Sequence, residues 1–249
     1  MTQEQNLISS GVGRREVMAG AAAASLATVL GSPELAHAAA EGLTDVTITT
    51  SSHGKAVSAA LALPAGGAPR PGIVLIHEWW GLNDQIKAVA GELARQGYVA
   101  LAVDLYNGQI ATNPDDARSY MGRVDAEVAT DTLASWVAWL KHHTACNGRI
   151  GTVGWCFGGG WSLNAGLAAP VDAVVVYYGN VRRDAEQLRA LKAPVLGHFA
   201  TRDGWIDREM VAGFEAQMEA AGRPYTDHWY EADHAFANPT SARYDEADA

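Results

Sequence analysis

The stretch RIGTVGWCFGGG, residues 149–160, decides the fold. Its first half is an apolar run that reads as a buried strand. Its second half sets Cys156 in a collar of glycines. A thiol that only packs in a core needs no such collar, because it fits almost anywhere. The glycines point instead to a backbone that bends sharply where no side chain can be tolerated. Gly154-x-Cys156-x-Gly158 has the spacing of a strand-turn-helix nucleophile elbow, with cysteine where serine is usual. A glycine-rich turn of this kind could also bind a phosphate, and the choice depends on the rest of the chain.

Outward from this stretch the pattern is regular. Residues 44–50 and 55–63 alternate as two antiparallel strands, with Gly54 near their turn. A breaker-rich connection (63–72) leads to the short buried strand IVLIH (73–77). Asp84 to Gln96 carries apolar residues at helical spacing and stops at Gly97. Residues 98–106 form a strand, 107–120 are irregular and polar, and a long helix fits about 121–143. After the strand at 149–155 come a helix (157–169), two strands (DAVVVYY and PVLGHFA) separated by a short polar helix, a helix (Asp207–Ala221) and a last strand (225–231). Strands alternating with helices give an α/β fold, a mostly parallel sheet covered on both faces. No linker interrupts it, so residues 41–249 are expected to be one domain.

In such a sheet ligands bind beyond the carboxyl ends of the strands. Cys156, Asp203 and His234 each follow a strand, in the order nucleophile, acid, histidine. Asp203 could instead start a turn with Gly204, and Asp207 could be the acid or a helix N-cap. His234 could be a surface histidine. Their joint placement favours a triad in which His234 takes the thiol proton and later activates water, while Asp203 fixes its tautomer. The oxyanion needs two donors. The Phe157 amide follows the nucleophile, and the Trp79 amide lies in the loop HEWWGLN after the first central strand. That loop is not the zinc motif H-E-x-x-H, since Gly81 stands where the second histidine belongs. His142 and His143 are adjacent and so share no helix face for a metal. The glycine run lacks the order of a dinucleotide or P-loop motif. No metal and no cofactor is expected.

Composition sets the outer bounds. The chain has 249 residues, 48% hydrophobic and 18% charged, with a net charge of −10. That balance suits a soluble domain and disfavours nucleic acid or an anionic membrane surface as partner. Gly13-Arg14-Arg15, an alanine-rich run and the small-residue site Ala36-His37-Ala38 follow the order of a signal peptide of twin-arginine type, spanning residues 1–38. Export to the periplasm or medium is expected, with no membrane association once processed. An oxidising compartment permits disulfides. Cys146 and Cys156 flank an extended strand, however, which holds them too far apart for one. The expected state is a monomer or small homo-oligomer.

Taken together, HEWWGLND, GYVALAVDLY, GWCFGGG, RDGWID and DHAFAN resemble the dienelactone hydrolase family of α/β-hydrolases, from about residue 45 to 245. The resemblance implies hydrolysis of a small-molecule ester or enol-lactone. It also implies that Glu78 contacts the resting thiol and takes part in its activation. Family members that open dienelactones hold the substrate carboxylate with arginines. Here Asn238 stands at one of those places, and Arg118 is the nearest candidate for the other. A more aromatic pocket is expected, drawn from Trp79, Trp80, Tyr106, Phe157, Trp205 and Phe236. Relatives also continue into a last helix that this chain lacks, which leaves an apolar face to lower stability or be covered by a partner. A second reading is a non-catalytic ligand binder or thiol sensor on the same fold.

Overall fold

The computed structural model describes residues 26–249. The Arg14-Arg15 pair and most of the alanine-rich run lie outside them. Strands β1 (Thr44–Thr49) and β2 (Ala56–Ala62) form an antiparallel pair that joins antiparallel to β4 (Val99–Val103). The remaining strands run parallel: β3 (Arg70–Ile76), β5 (Cys146–Trp155), β6 (Ala173–Tyr177), β7 (Val195–Ala200) and β8 (Tyr225–Tyr230). The sheet order is β1-β2-β4-β3-β5-β6-β7-β8. All of β4 is buried, which its continuous apolar run requires of a strand covered on both faces.

Alternate residues sort the helices to two sides. Leu75, Ala100 and Ala102 pack with α1 (Leu26–Leu30), α2 (Pro33–Glu41) and α3 (Asp84–Arg95). Val74, Ile76, Leu101, Val174 and Val176 pack with α5 (Ala126–His142), α6 (Phe157–Ala168) and α8 (Arg208–Ala221). The short α7 (Ala185–Leu188) lies between β6 and β7. Helix α2 docks through buried Ala36 and Ala40, and His37 bonds Asp84 of α3 at 2.8 Å. The small-residue triplet Ala36–Ala38 is therefore part of an ordered, packed helix.

Several expected boundaries move. Residues 107–120 are not wholly irregular, because α4 (Pro114–Gly122) occupies much of them. Asn113 caps it by accepting the amides of Asp115 and Asp116, and Pro114 sits in its first turn. The long helix expected from 121 starts only at Ala126, where the Asp125 carboxylate accepts the amides of Glu127 and Val128. β5 begins at Cys146, not 149, and β3 begins at Arg70, because Arg70 pairs with Cys146. Both cysteines are free thiols.

Residues 231–249 form turns without a helix. On the face toward α3 the rings of Trp155, Tyr177, His198 and His228 stack in register across β5 to β8. The first three are half-buried and the fourth is exposed.

Candidate active site

The chain leaves β3 toward β4 on one side and returns to β5 on the other. The loops after β3 and β5 therefore diverge and open a crevice at their carboxyl ends. Cys156 stands there at φ +54°, a left-handed conformation that is costly for any residue but glycine. Its amide donates to Tyr177 O at 3.0 Å, and its carbonyl accepts from Gly159 at 3.1 Å. A Cβ on Gly158 would run into the carbonyl oxygens of Ile76 and His77. One on Gly154 would strike the Gly158 carbonyl, and one on Gly159 would lie 2.7 Å from Tyr177 O. The glycine collar is thus what lets the first turn of α6 press against the ends of β3, β5 and β6.

The loops after β7 and β8 bring Asp203 and His234 together. His234 Nδ1 donates to Asp203 Oδ2 at 2.6 Å, and Asp203 Oδ1 accepts the amides of Trp205 (2.8 Å) and Ile206 (3.1 Å). Burial would raise the Asp203 pKa, but the bond and charge of His234, with the two amides, hold it below its ordinary value. With Nδ1 committed to Asp203, Nε2 is left to exchange a proton. The His234 ring lies 5.0 Å from the rings of both Tyr178 and Trp205. Asp207 is the N-cap of α8, accepting the Met210 amide at 2.8 Å, whereas it is Asp203 that bonds His234.

Glu78 is buried beside the thiol. The Asn238 amide donates to its Oε2 and the Tyr178 hydroxyl to its Oε1 at 3.5 Å. Burial still outweighs these bonds and pushes the carboxyl up to about 7. Burial, with the carboxylates of Glu78 and Asp203, pushes the Cys156 thiol up to about 12. The backbone amides of Phe157 and Trp79 face the sulfur and act in the opposite sense. Fully buried His77 holds the second of these. Its Nδ1 donates to Glu78 O at 2.6 Å, fixing the peptide that carries the Trp79 amide, while its Nε2 accepts the Leu105 amide at 3.2 Å. His77 and Tyr178 were not among the expected site residues. The local signal for them is only their position at strand ends, at the start and finish of the crevice. Asn238, which stands where the family resemblance calls for an arginine, tethers Glu78.

A cavity of about 920 Å³ joins these groups. Cys156, Glu78 and His234 line it, as do the expected Trp79, Trp80, Phe157, Trp205 and Arg118. Two expected pocket residues do not. Tyr106 is buried behind the site, its ring 4.7 Å from His77 and 5.5 Å from Phe157. Phe236 is buried against Tyr178 and Tyr230. Both follow loop sequences yet point into apolar contacts, where a large ring removes most surface from water. Arg118 pairs with Asp115 at 2.8 Å on the exposed side of α4. His142 Nδ1 donates to Ala138 O within its own helix. Among the described residues no group of three or more His, Cys, Asp or Glu is placed to hold a metal ion. A held thiol, two amides facing its sulfur, a buried carboxyl and a carboxylate-backed imidazole together suit attack on an acyl carbon.

The profile of the dienelactone hydrolase family matches residues 57–249. The chain is 30% identical over 192 residues to carboxymethylenebutenolidase of Pseudomonas putida, covering 71% of this chain and 79% of that one. It is 32% identical over 174 residues to protein usf of Aquifex pyrophilus, covering 64% and 72%. A crystal structure of a dienelactone hydrolase-like promiscuous phosphotriesterase from metagenomic libraries superposes with a TM-score of 0.73. At 22% identity, covering 83% of this chain and 92% of that one, it speaks for the fold alone.

Two expectations follow from this geometry. Gly158→Ala lowers unfolding free energy by about 3 kcal/mol, since the added carbon meets backbone that cannot yield. Gly213→Ala, at an exposed helical site with no atom within 4 Å, raises it by about 0.5–1 kcal/mol, both read by urea unfolding. Glu78 has a folded pKa of about 7 against an ordinary 4.5, so the folded state binds its proton more tightly. Wild-type stability relative to Glu78→Gln is therefore retained below pH 4.5 and lost as pH rises through 7, by roughly 3 kcal/mol in all. Paired thermal melts across that range read the difference.

Proposed function

The chain belongs to the dienelactone hydrolase family, and from that membership and the geometry of its site we propose that it hydrolyses an ester or enol-lactone through a thioester on Cys156. The observation that carries the reading is the sulfur itself. A cysteine held in a strained turn faces the Phe157 and Trp79 amides and opens on the same cavity as the His234–Asp203 pair. At rest the thiol is neutral, because burial and the neighbouring carboxylates oppose its ionisation. Glu78 titrates near neutrality and is the group placed to accept the thiol proton. Once protonated it no longer repels a thiolate, which can then attack the substrate carbonyl. The two amides that face the sulfur are placed to receive the oxyanion. In the imidazolium form that Asp203 steadies, His234 donates its Nε2 proton to the leaving alkoxide or enolate. It then takes a proton from the water that cleaves the thioester and so returns to that form, while the expelled thiolate recovers its proton from Glu78. Thiol and carboxylate are regenerated.

The non-catalytic alternative fits less well. Redox-sensing cysteines are low in pKa and accessible, whereas burial pushes this thiol up to about 12. A sensor also has no use for an Asp203–His234 pair beside it.

Export rests on residue order alone, the paired Arg14-Arg15, the apolar run and the Ala36–Ala38 triplet. Cleavage at that triplet requires α2 to be undocked from α3 when the peptidase meets it, since Ala36 and Ala40 are otherwise buried there. Fractionation of cells making the full chain, with Arg14→Lys plus Arg15→Lys as comparison, tests the route. Appearance of both forms outside the cytoplasm in equal amount excludes it.

Turnover of an aryl acetate tests the chemistry. Cys156→Ala abolishes it, and His234→Ala and Asp203→Asn each lower kcat on the order of 10³–10⁴-fold. Undiminished turnover in Cys156→Ala would falsify the mechanism.

A further inference from the structure

Three arginines line the cavity: Arg118, Arg183 and Arg243. Among the described residues, the only carboxylate lining it is Glu78, beside the thiol. Arg118 is paired with Asp115, and exposed Arg243 lies over the Trp205 ring at 5.3 Å. Arg183 differs from both. It is half-buried and, among the described residues, has no carboxylate within ion-pair distance. Its Nη2 donates to Asn164 Oδ1 at 2.5 Å and its Nη1 to the Arg182 carbonyl at 2.6 Å. A guanidinium has five N–H donors, so three remain uncommitted. A half-buried charge of this kind is costly unless something of opposite sign meets it.

Its place in the cavity is defined by α6. Phe157, Gly160, Trp161 and Asn164 line the cavity from successive turns of one helix face, beginning next to Cys156. The cavity thus runs along the helix, and Gly160 lets the helix approach the Asn180 backbone, where an added Cβ would lie 3.1 Å from its carbonyl oxygen. Asn164 lies eight residues after Cys156, roughly 12 Å along the helix axis. Asn164 holds the Arg183 guanidinium by its bond at that far end. Neither place at which the family resemblance calls for an arginine is involved, since Asn238 is tied to Glu78 and Arg118 to Asp115.

We propose that Arg183, braced by Asn164, is an anion subsite at the far end of the cavity, selecting extended substrates whose carboxylate is separated from the scissile carbonyl by several methylenes. The inference rests on the hydrolase reading above and specifies its substrate class. Short carboxylated acyl groups cannot reach both ends, whereas a chain of suberate length can lie along α6 with its carboxylate in the fork.

The test compares p-nitrophenyl monoesters of suberate and succinate with the neutral octanoate ester. The suberate monoester is expected to exceed octanoate in kcat/KM by at least roughly tenfold, the yield of one charge-assisted bond. Succinate is expected to show no such advantage over a neutral ester of its own length. Arg183→Gln should collapse the suberate-to-octanoate ratio toward unity, and Arg183→Lys should restore only part of it, because a lysine lacks the planar fork. Equal kcat/KM for suberate and octanoate, or a preference that survives Arg183→Gln, overturns the subsite. Octanoate turnover that depends on Cys156 would in that case leave the hydrolase reading standing. If neither ester is turned over, the hydrolase reading falls. Calorimetry with free suberate then decides the subsite, which is supported by binding lost in Arg183→Gln and overturned by no binding.

Discussion

The contact between the first turn of α6 and the end of β3 is what the rest of the site depends on. Gly158 lies so close to the carbonyl oxygens of Ile76 and His77 that no other residue fits without moving backbone. Gly159 makes the matching approach to Tyr177 and Gly179 on the other side. Helix and strands can close to this distance only if the chain turns abruptly between β5 and α6, and Cys156 absorbs that turn at positive φ. The strain is localised at one residue and held by hydrogen bonds from both sides. Its consequence is functional. The thiol is placed at the switch point of the sheet, with the amide of Phe157 behind it and that of Trp79 beside it.

Environment then sets three ionisable groups apart. Asp203 is buried but bonded by His234 and two amides, which keep it a carboxylate. Glu78 is buried with weaker compensation from Asn238 and Tyr178, which leaves its carboxyl raised to about 7 and able to take up a proton near neutral pH. Cys156 feels both carboxylates and holds its proton tightly. Pairs of groups whose surroundings push their pKa values apart are how one site runs acid and base steps together. On the proposed mechanism the resting site is therefore quiet, and attack would wait on transfer of a proton from sulfur to Glu78. His77 belongs to the same apparatus, since its bond to the Glu78 carbonyl orients the peptide whose amide faces the sulfur.

Much of this arrangement is legible in the chain because Cys156, Asp203 and His234 each follow an apolar run ending at the same sheet edge. Cys156 also carries its glycine collar, and Asp203 and His234 fall in the right order after later strands. Asp207 was separable from Asp203 only by geometry, because an aspartate before a helix has the same local look whether it caps or catalyses. Tyr106 and Phe236 went the other way, since an aromatic residue beside a loop can turn inward as readily as toward a ligand. Helix α4 was hidden by its polar composition, although Asn113-Pro114 is a start signal for it. Asn238 and Tyr178 were out of reach, because their partner Glu78 is 160 and 100 residues away and no local pattern records such pairings. The Arg183–Asn164 pair is hidden for the same reason.

The central claim is a covalent one, that an acyl group rests on Cys156 during turnover. Rapid acid quenching during hydrolysis of an aryl ester, followed by mass analysis of the peptide containing residue 156, reads it directly. The account predicts an increment equal to the acyl group on that peptide, formed within the first turnover and absent from Cys156→Ala. Steady hydrolysis with the peptide unmodified at every quench time, or the acyl group found on another residue, would contradict it.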